Sequence, residues 1–207
     1  MEVNQTNTEQ SILAAAEQIF IQKGFAATRC MEIAAAAGVN HAMLHYYFRT
    51  KEVLFNQIFE KKAAQLLNFF VKAFDSDLPF FEKLQIGIET HFDFLVENPR
   101  LPLFVFREII QSQERKQFIL QQVFPIGMEL LKQIERAFNK EEKKGGVRPV
   151  KFFDLLLNIG SLNVFAFVAA QIFFDMEKDR ENPEYQKFLN ARKKNNVEII
   201  INSLKIQ

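Results

Sequence analysis

The sequence predicts an all-α protein: an N-terminal three-helix helix-turn-helix domain followed by a larger helical bundle, about nine helices in all. Three observations predict it. Apolar residues recur at helical spacing through nearly the whole chain. Only 7 glycines and 6 prolines punctuate 207 residues, so long elements run uninterrupted. The β-rich runs, such as Val197 to Ile201, lack a hairpin turn or a partner.

Each helix has its own signal. Ile12, Ala16, Ile19 and Phe20 define the first, which Gly24 stops and for which Thr6-x-x-Glu9 or Thr8 offers an opening cap. Thr28 is the expected cap of a short second helix, with Ile33, Ala34 and Ala37 inward and Gly38 as its stop. Asn40 caps a brief third helix ending near Phe48, and Thr50 caps a long fourth from Lys51 to about Phe74. Pro79 opens a helix to about Asn98, and Pro102 another to about Ser112. A single segment from Arg115 to Lys144 follows, kinked at Pro125. After the loop Lys143 to Pro149, Pro149 stands at the first turn of a helix reaching about Met176. The last helix runs from Pro183 or Glu184 to about Leu204.

Composition narrows the function. Lys+Arg 26 against Asp+Glu 25 leaves no overall pull toward nucleic acid or anionic membrane, so any basic surface is local. The single cysteine, Cys30, rules out an internal disulfide framework and a four-thiolate zinc site. The N-terminus lacks the basic start and apolar run of a signal peptide, and a cytoplasmic location is expected. Leu155 to Phe174 carries no charge and could cross a bilayer. Its Asn158, Ser161, Asn163 and Gln171, and the flanking Asp154 and Asp175, favour a helix buried in a core or between subunits, so no membrane partner is expected. Of 24 phenylalanines, 5 lie in the first 60 residues. The division is therefore a small alanine-lined domain, 1–54, and a larger aromatic-rich body, 55–207, with the boundary inside the fourth helix.

Residues 28–51 carry the strongest signal. Two short helices joined at Gly38 have the sequence form of a helix-turn-helix. Leu44, Tyr47 and Phe48 share one face of the third helix and pack inward in part, leaving His41, Ala42, His45 and Tyr46 outward with Met43 near the edge. So short a helix has little stability of its own and must be held by a scaffold, as major-groove reading requires. Ala42 permits close approach; His41, His45 and Tyr46 offer donors to phosphate or base edges. Lys51 in a first helical turn is mildly unfavourable unless an anion joins it at the free backbone amides. Over residues 1–51 four basic residues (Lys23, Arg29, Arg49, Lys51) balance four acids (Glu2, Glu9, Glu17, Glu32), so a DNA-facing surface needs them segregated.

The elements F-x-x-K-G-F-x-A-T (Phe20 to Thr28), I-A-x-x-A-G-V (Ile33 to Val39) and L-x-x-Y-F-x-x-K-E (Leu44 to Glu52) keep their order and spacing, and together resemble the DNA-binding domain of the tetracycline-repressor (TetR) family. The resemblance implies a dimeric repressor whose C-terminal helical domain binds a small ligand and releases its operator. It also implies that Thr28 is a phosphate-contacting cap, that Tyr47 bonds backbone phosphate, and that Lys51 anchors another. His41 to Tyr46 then form the reading face, and Arg29 and Asn40 complete the expected DNA-binding set. The chain departs from the family at Met31, where arginine is frequent. It departs again at His41-Ala42-Met43, where Lys-Gly-Thr is frequent, and at the inverted pair His45-Tyr46.

Beyond this head, the phenylalanines fill a core or line an apolar cavity. Candidate lining residues are Phe70, Phe74, His91, Phe92, Phe104, Asn158, Phe165 and Gln171. Leu162, Phe165, Phe173, Phe188, Val197, Ile200, Ile201 and Leu204, on the last two helices, are the candidate homodimer contact. No nucleophile elbow, dinucleotide fingerprint or metal-hydrolase helix occurs, so neither an enzyme nor a cofactor or metal requirement is expected. The reading is a sequence-specific regulator, a repressor that binds a near-palindromic double-stranded operator as a homodimer and is released by a small, largely apolar effector. The alternative is an apolar-ligand carrier that has lost operator recognition, motivated by Met31, Met43 and the neutral head.

Overall fold

The computed structural model describes residues 2–74, 78–176 and 178–206; of residues 2–6, 69 and 72–74 it describes the backbone only. The chain is all-helical, with no strand among the described residues. Among the described residues ten α-helices follow one another: α1 (Glu2–Lys23), α2 (Cys30–Ala36), α3 (His41–Phe48), α4 (Lys51–Phe74), α5 (Phe80–Glu97), α6 (Leu101–Gln111), α7 (Gln113–Phe118), α8 (Met128–Lys143), α9 (Phe152–Phe173) and α10 (Pro183–Leu204).

Local chemistry accounts for most boundaries. Gly24 ends α1 at φ 83°, its N–H donating to the Phe20 carbonyl at 2.8 Å, a conformation that favours glycine. Asn40 caps α3 through Met43 N–H at 2.8 Å, and Thr50 caps α4 through Val53 N–H at 3.2 Å. Asn182 caps α10 with Pro183 in its first turn.

Four boundaries differ from expectation. α1 begins at Glu2, so Thr6 and Thr8 lie inside the helix rather than capping it. The cap of α2 is Arg29, one residue later than Thr28. Pro149 precedes α9 by three residues instead of opening it. The single helix expected from Arg115 to Lys144 is two helices, separated by a π-turn (Ile119–Val123) and a 3-10 turn (Phe124–Gly127) around Pro125. Proline has no N–H to give the preceding turn, and the Phe124 amide reaches back five residues to Ile119 instead.

The chain forms two compact units. The first joins the residues up to Ala64 with Phe104–Ile126. Its core gathers Ile12, Ala16 and Phe20 from α1, Ile33 from α2, Leu44 and Phe48 from α3, and Leu54, Phe55 and Phe59 from α4, all buried. Phe55 is the hub, with ring centroids 5.7 Å from Phe20, 5.1 Å from Phe25 and 4.5 Å from Phe59.

The second unit joins Gln65–Leu103 with the chain from Gly127 onward. Here α9 and α10 pack against α5 in two clusters. One centres on Phe92, Phe167 and Tyr185, the other on Ile88, Phe138, Val197 and Ile200. α9 is the one described helix long and apolar enough to cross a membrane, and 28% of its most apolar window is buried. Leu155, Asn163, Ala166, Phe167 and Ala170 turn inward. Phe153, Leu157, Phe165, Ile172 and Phe173 lie bare, each 58–77% exposed.

This placement corrects several expectations. Val197, Ile200 and Leu204 are at most 7% exposed and belong to the chain's own core, so they have no surface left to offer a second copy. Leu162, Phe188 and Ile201 are partly buried against the same clusters. Phe165 and Phe173 are the candidate dimer residues that stay on the surface.

Candidate nucleic-acid interface

The head is assembled so that α3 has one face in the core and one in solvent. Leu44 and Phe48, four residues apart, are 2% and 1% exposed and pin the helix. His41, Ala42, Met43, His45 and Tyr46 are exposed on its other side, Tyr46 by 73%. Tyr47 is half-buried, with its ring edge-on to Tyr46 at 5.3 Å. Arg29 and Asn40 are exposed at the starts of α2 and α3.

Thr28 and Lys51 lie differently from the sequence expectation. Thr28 is 2% exposed, and its hydroxyl donates inward to the Gly24 carbonyl at 2.7 Å. A hydroxyl so placed cannot cap α2, and it faces away from solvent. Lys51 folds back over the α1–α2 turn, donating to the carbonyls of Phe25 (2.8 Å) and Thr28 (2.9 Å) with its ammonium 4.3 Å from the Phe25 ring centroid. Two of the three ammonium donors are thereby used, leaving one.

The electrostatics of the head follow from these contacts. Lys23 pairs with Glu32 at 3.1 Å, and Arg29 N–H also donates to that carboxylate. The Lys23 hydrogen bond, then the Arg29 amide, hold the Glu32 carboxyl below its usual range. Glu17 pairs with Lys62 at 2.7 Å. Arg29 and Arg49 remain exposed beside the two helices, Arg49 at φ 47° where the chain turns from α3 into α4.

A second set of residues supports the turn that Lys51 grips, and sequence reasoning missed it. Glu108 of α6 is fully buried and accepts Phe25 N–H at 3.0 Å. Arg115 of α7 pairs with the same carboxylate at 2.7 Å and lies over the Phe25 ring at 4.6 Å. Arg107 reaches the Phe20 carbonyl at 3.4 Å. More than 80 positions separate the two sides of the Phe25–Glu108 contact. No periodic signal spans such an interval.

The proposed ligand residues are not gathered around one space. Phe104 belongs to the first unit, buried against Phe59 at 5.5 Å and Phe55 at 6.0 Å, which corrects its assignment to an aromatic lining. Phe92 is 1% exposed and packed on Phe167 at 5.0 Å, filling the core. Asn158 and Phe165 are exposed on α9, and so are corrected to surface positions. Phe70 and His91 do meet, with ring centroids 6.3 Å apart; the Phe74 side chain lies outside the described residues. Gln171 borders an open cleft of about 480 Å³ with Arg100, Ile172, Phe173 and Phe174.

Polar groups inside the second unit satisfy one another. Arg192 donates to Asn196 (2.7 Å) and Asn196 to Asn163 (2.9 Å); Asn163 donates to the Ile88 carbonyl (3.0 Å) and lies 3.3 Å from His91 Nδ1. Burial pushes the His91 imidazole down to about 4, so it is neutral and accepts at Nδ1. Asn163 and Asn196 are fully buried, and this chain of bonds removes the cost of enclosing them.

Comparison with known proteins agrees with this geometry. Residues 12–58 match the family model for bacterial regulatory proteins of the tetR family. The HTH-type transcriptional regulator AcrR of Shigella flexneri is 28% identical over 124 residues, 56% of this chain and 48% of that protein. The chain spans about half the length of the curated relatives it matches. The crystal structure of HlyIIR, a hemolysin II transcriptional regulator, superposes over 98% of this chain and 99% of that one, with TM-score 0.67 and 25% identity. FadR of Bacillus subtilis, solved in complex with stearoyl-CoA, shares the fold at TM-score 0.71 and 19% identity, over 95% of this chain and 99% of that one. The matched head, a fold shared along nearly the whole chain and a short helix held outward by its own core make this protein similar to the bacterial regulatory proteins of the tetR family.

Proposed function

We propose that this protein is a sequence-specific DNA-binding transcriptional repressor that grips a near-palindromic operator as a homodimer. One observation carries the reading: α3 presents five consecutive-turn side chains to solvent while Leu44 and Phe48 fix its other face. A short helix held this way enters the major groove, and two such helices in a symmetric dimer reach half-sites about one helical turn apart. Arg29, Arg49 and the remaining donor of Lys51 supply the phosphate contacts, with Asn40 and Tyr47 beside them. The head is residues 1–54, and the body from 55 onward carries dimerisation and ligand response.

The bare stripe Phe153, Leu157, Phe165, Ile172 and Phe173 on α9 supports the dimer. The effector is small and largely apolar, and the stearoyl chain of the stearoyl-CoA bound by FadR is an example of such an apolar group held by a protein of this fold. Such a ligand loosens the operator only by binding the released conformation more tightly than the gripping one.

The test is selection of bound fragments from a random duplex library by the full chain at several salt concentrations. The expected result is a salt-sensitive enrichment of one palindrome. Binding without enrichment, or no binding at all, overturns DNA reading and leaves a ligand carrier.

A further inference from the structure

The outward face of the reading helix is chemically unusual for a base reader. From Cys30 to Phe48 there is no lysine or arginine, the residues that form the commonest bidentate contact to guanine. The one side-chain amide in that stretch, Asn40, already accepts Met43 N–H at 2.8 Å, so a bidentate grip on adenine would compete with the cap of its own helix. The exposed side chains at 41, 45 and 46 are two imidazoles and a phenol, able to make single hydrogen bonds.

Ala42 and Met43 remain. Both are exposed in the first turn of α3, Met43 by 39%, and the first turn of a recognition helix is the part that meets base edges. The cap bond at Met43 N–H holds the backbone of that residue in place. Ala42 beside it is too small to keep the helix away from the groove floor. An apolar side chain at a base edge has one apolar partner in the major groove, the C5-methyl of thymine.

We infer that Met43 is a specificity-determining residue that reads thymine C5-methyl groups in the operator half-site, with Ala42 allowing the approach. This inference rests on the DNA-reading function proposed above. The flexible thioether accommodates a methyl on either strand, so thymine content at the contacted steps matters more than one fixed order of bases.

The experiment uses the full chain and the palindrome obtained by selection. Each thymine of one half-site is replaced in turn by deoxyuridine, which removes the methyl and keeps the pairing edge. Loss of one methyl contact weakens binding about fourfold, from the transfer free energy of a methylene-sized group. The expected result is such a loss at one or two thymines with the native protein, and none at the same positions with Met43→Ala. Met43 lies on the surface, so that variant keeps its core. Selection of a palindrome that tolerates deoxyuridine everywhere overturns the inference and leaves the repressor reading intact. An equal deoxyuridine penalty with Met43→Ala removes Met43 as the reader. Failure to select any palindrome overturns both.

Discussion

The buried carboxylate of Glu108 accepts the backbone N–H of Phe25 at 3.0 Å, tying the turn before α2 to a helix more than 80 residues further along. Arg115 balances the charge at 2.7 Å. Removing one partner of a buried ion pair costs about 3–5 kcal/mol because the other is left uncompensated. Glu108→Ala is therefore expected to lower the unfolding free energy measured by urea denaturation by that amount, and Glu108→Gln, which keeps an acceptor, by less. Equal midpoints for Glu108→Ala and the native chain would show that the pair does not hold the turn.

Phe165 is 65% exposed in the middle of α9, whereas Leu204 is 1% exposed in the core. If the bare stripe is the subunit contact, Phe165→Asp lowers dimer affinity by about 30-fold or more, the effect of losing a central aromatic anchor. Sedimentation should show monomer while the helical circular dichroism stays native. Leu204→Asp is expected to unfold the chain instead. A Phe165→Asp protein that sediments like the native one sinks the assignment of this face.

Met31 stands 74% exposed on α2. Met31→Arg adds a cation beside Arg29 without disturbing any buried group. Operator affinity should rise, and the slope of log K against log salt should steepen by about one unit. An unchanged slope in a titration series would mean that α2 stays away from phosphate.

His91 gives stability a pH dependence whose sign is determined by burial. Its folded value is about 4 against 6.5 for the free side chain. Above pH 6.5 both states are neutral and the stability is complete. As pH falls from 6.5 toward 4 the unfolded chain takes up the proton first and stability is lost, levelling once the folded imidazole protonates. The loss is on the order of 3 kcal/mol at most. His91→Phe should flatten this part of the profile in chemical denaturation, whatever it does to the absolute stability.

The all-helical fold, most helix ends and the two faces of α3 were legible from residue spacing. Each depends on neighbours within one or two turns: Asn40 on Met43, Gly24 on Phe20, Leu44 on Phe48. Thr28 misled because a threonine before a helix resembles a cap whether its hydroxyl turns forward to α2 or back to Gly24. On α10 the alternatives were equally close, since Val197, Ile200 and Leu204 suit a subunit contact and an internal core alike.

Periodicity alone therefore determined that this chain is helical and that a short helix near residue 45 has a polar and an apolar side, because both properties arise within a few turns of backbone. Only the tertiary structure decided that Lys51 grips two carbonyls, that Glu108 supports the reading head, and that α9 leaves one apolar stripe bare. Those outcomes depend on which distant segment arrives to claim each donor, acceptor or apolar face. Residue spacing carries no record of that competition.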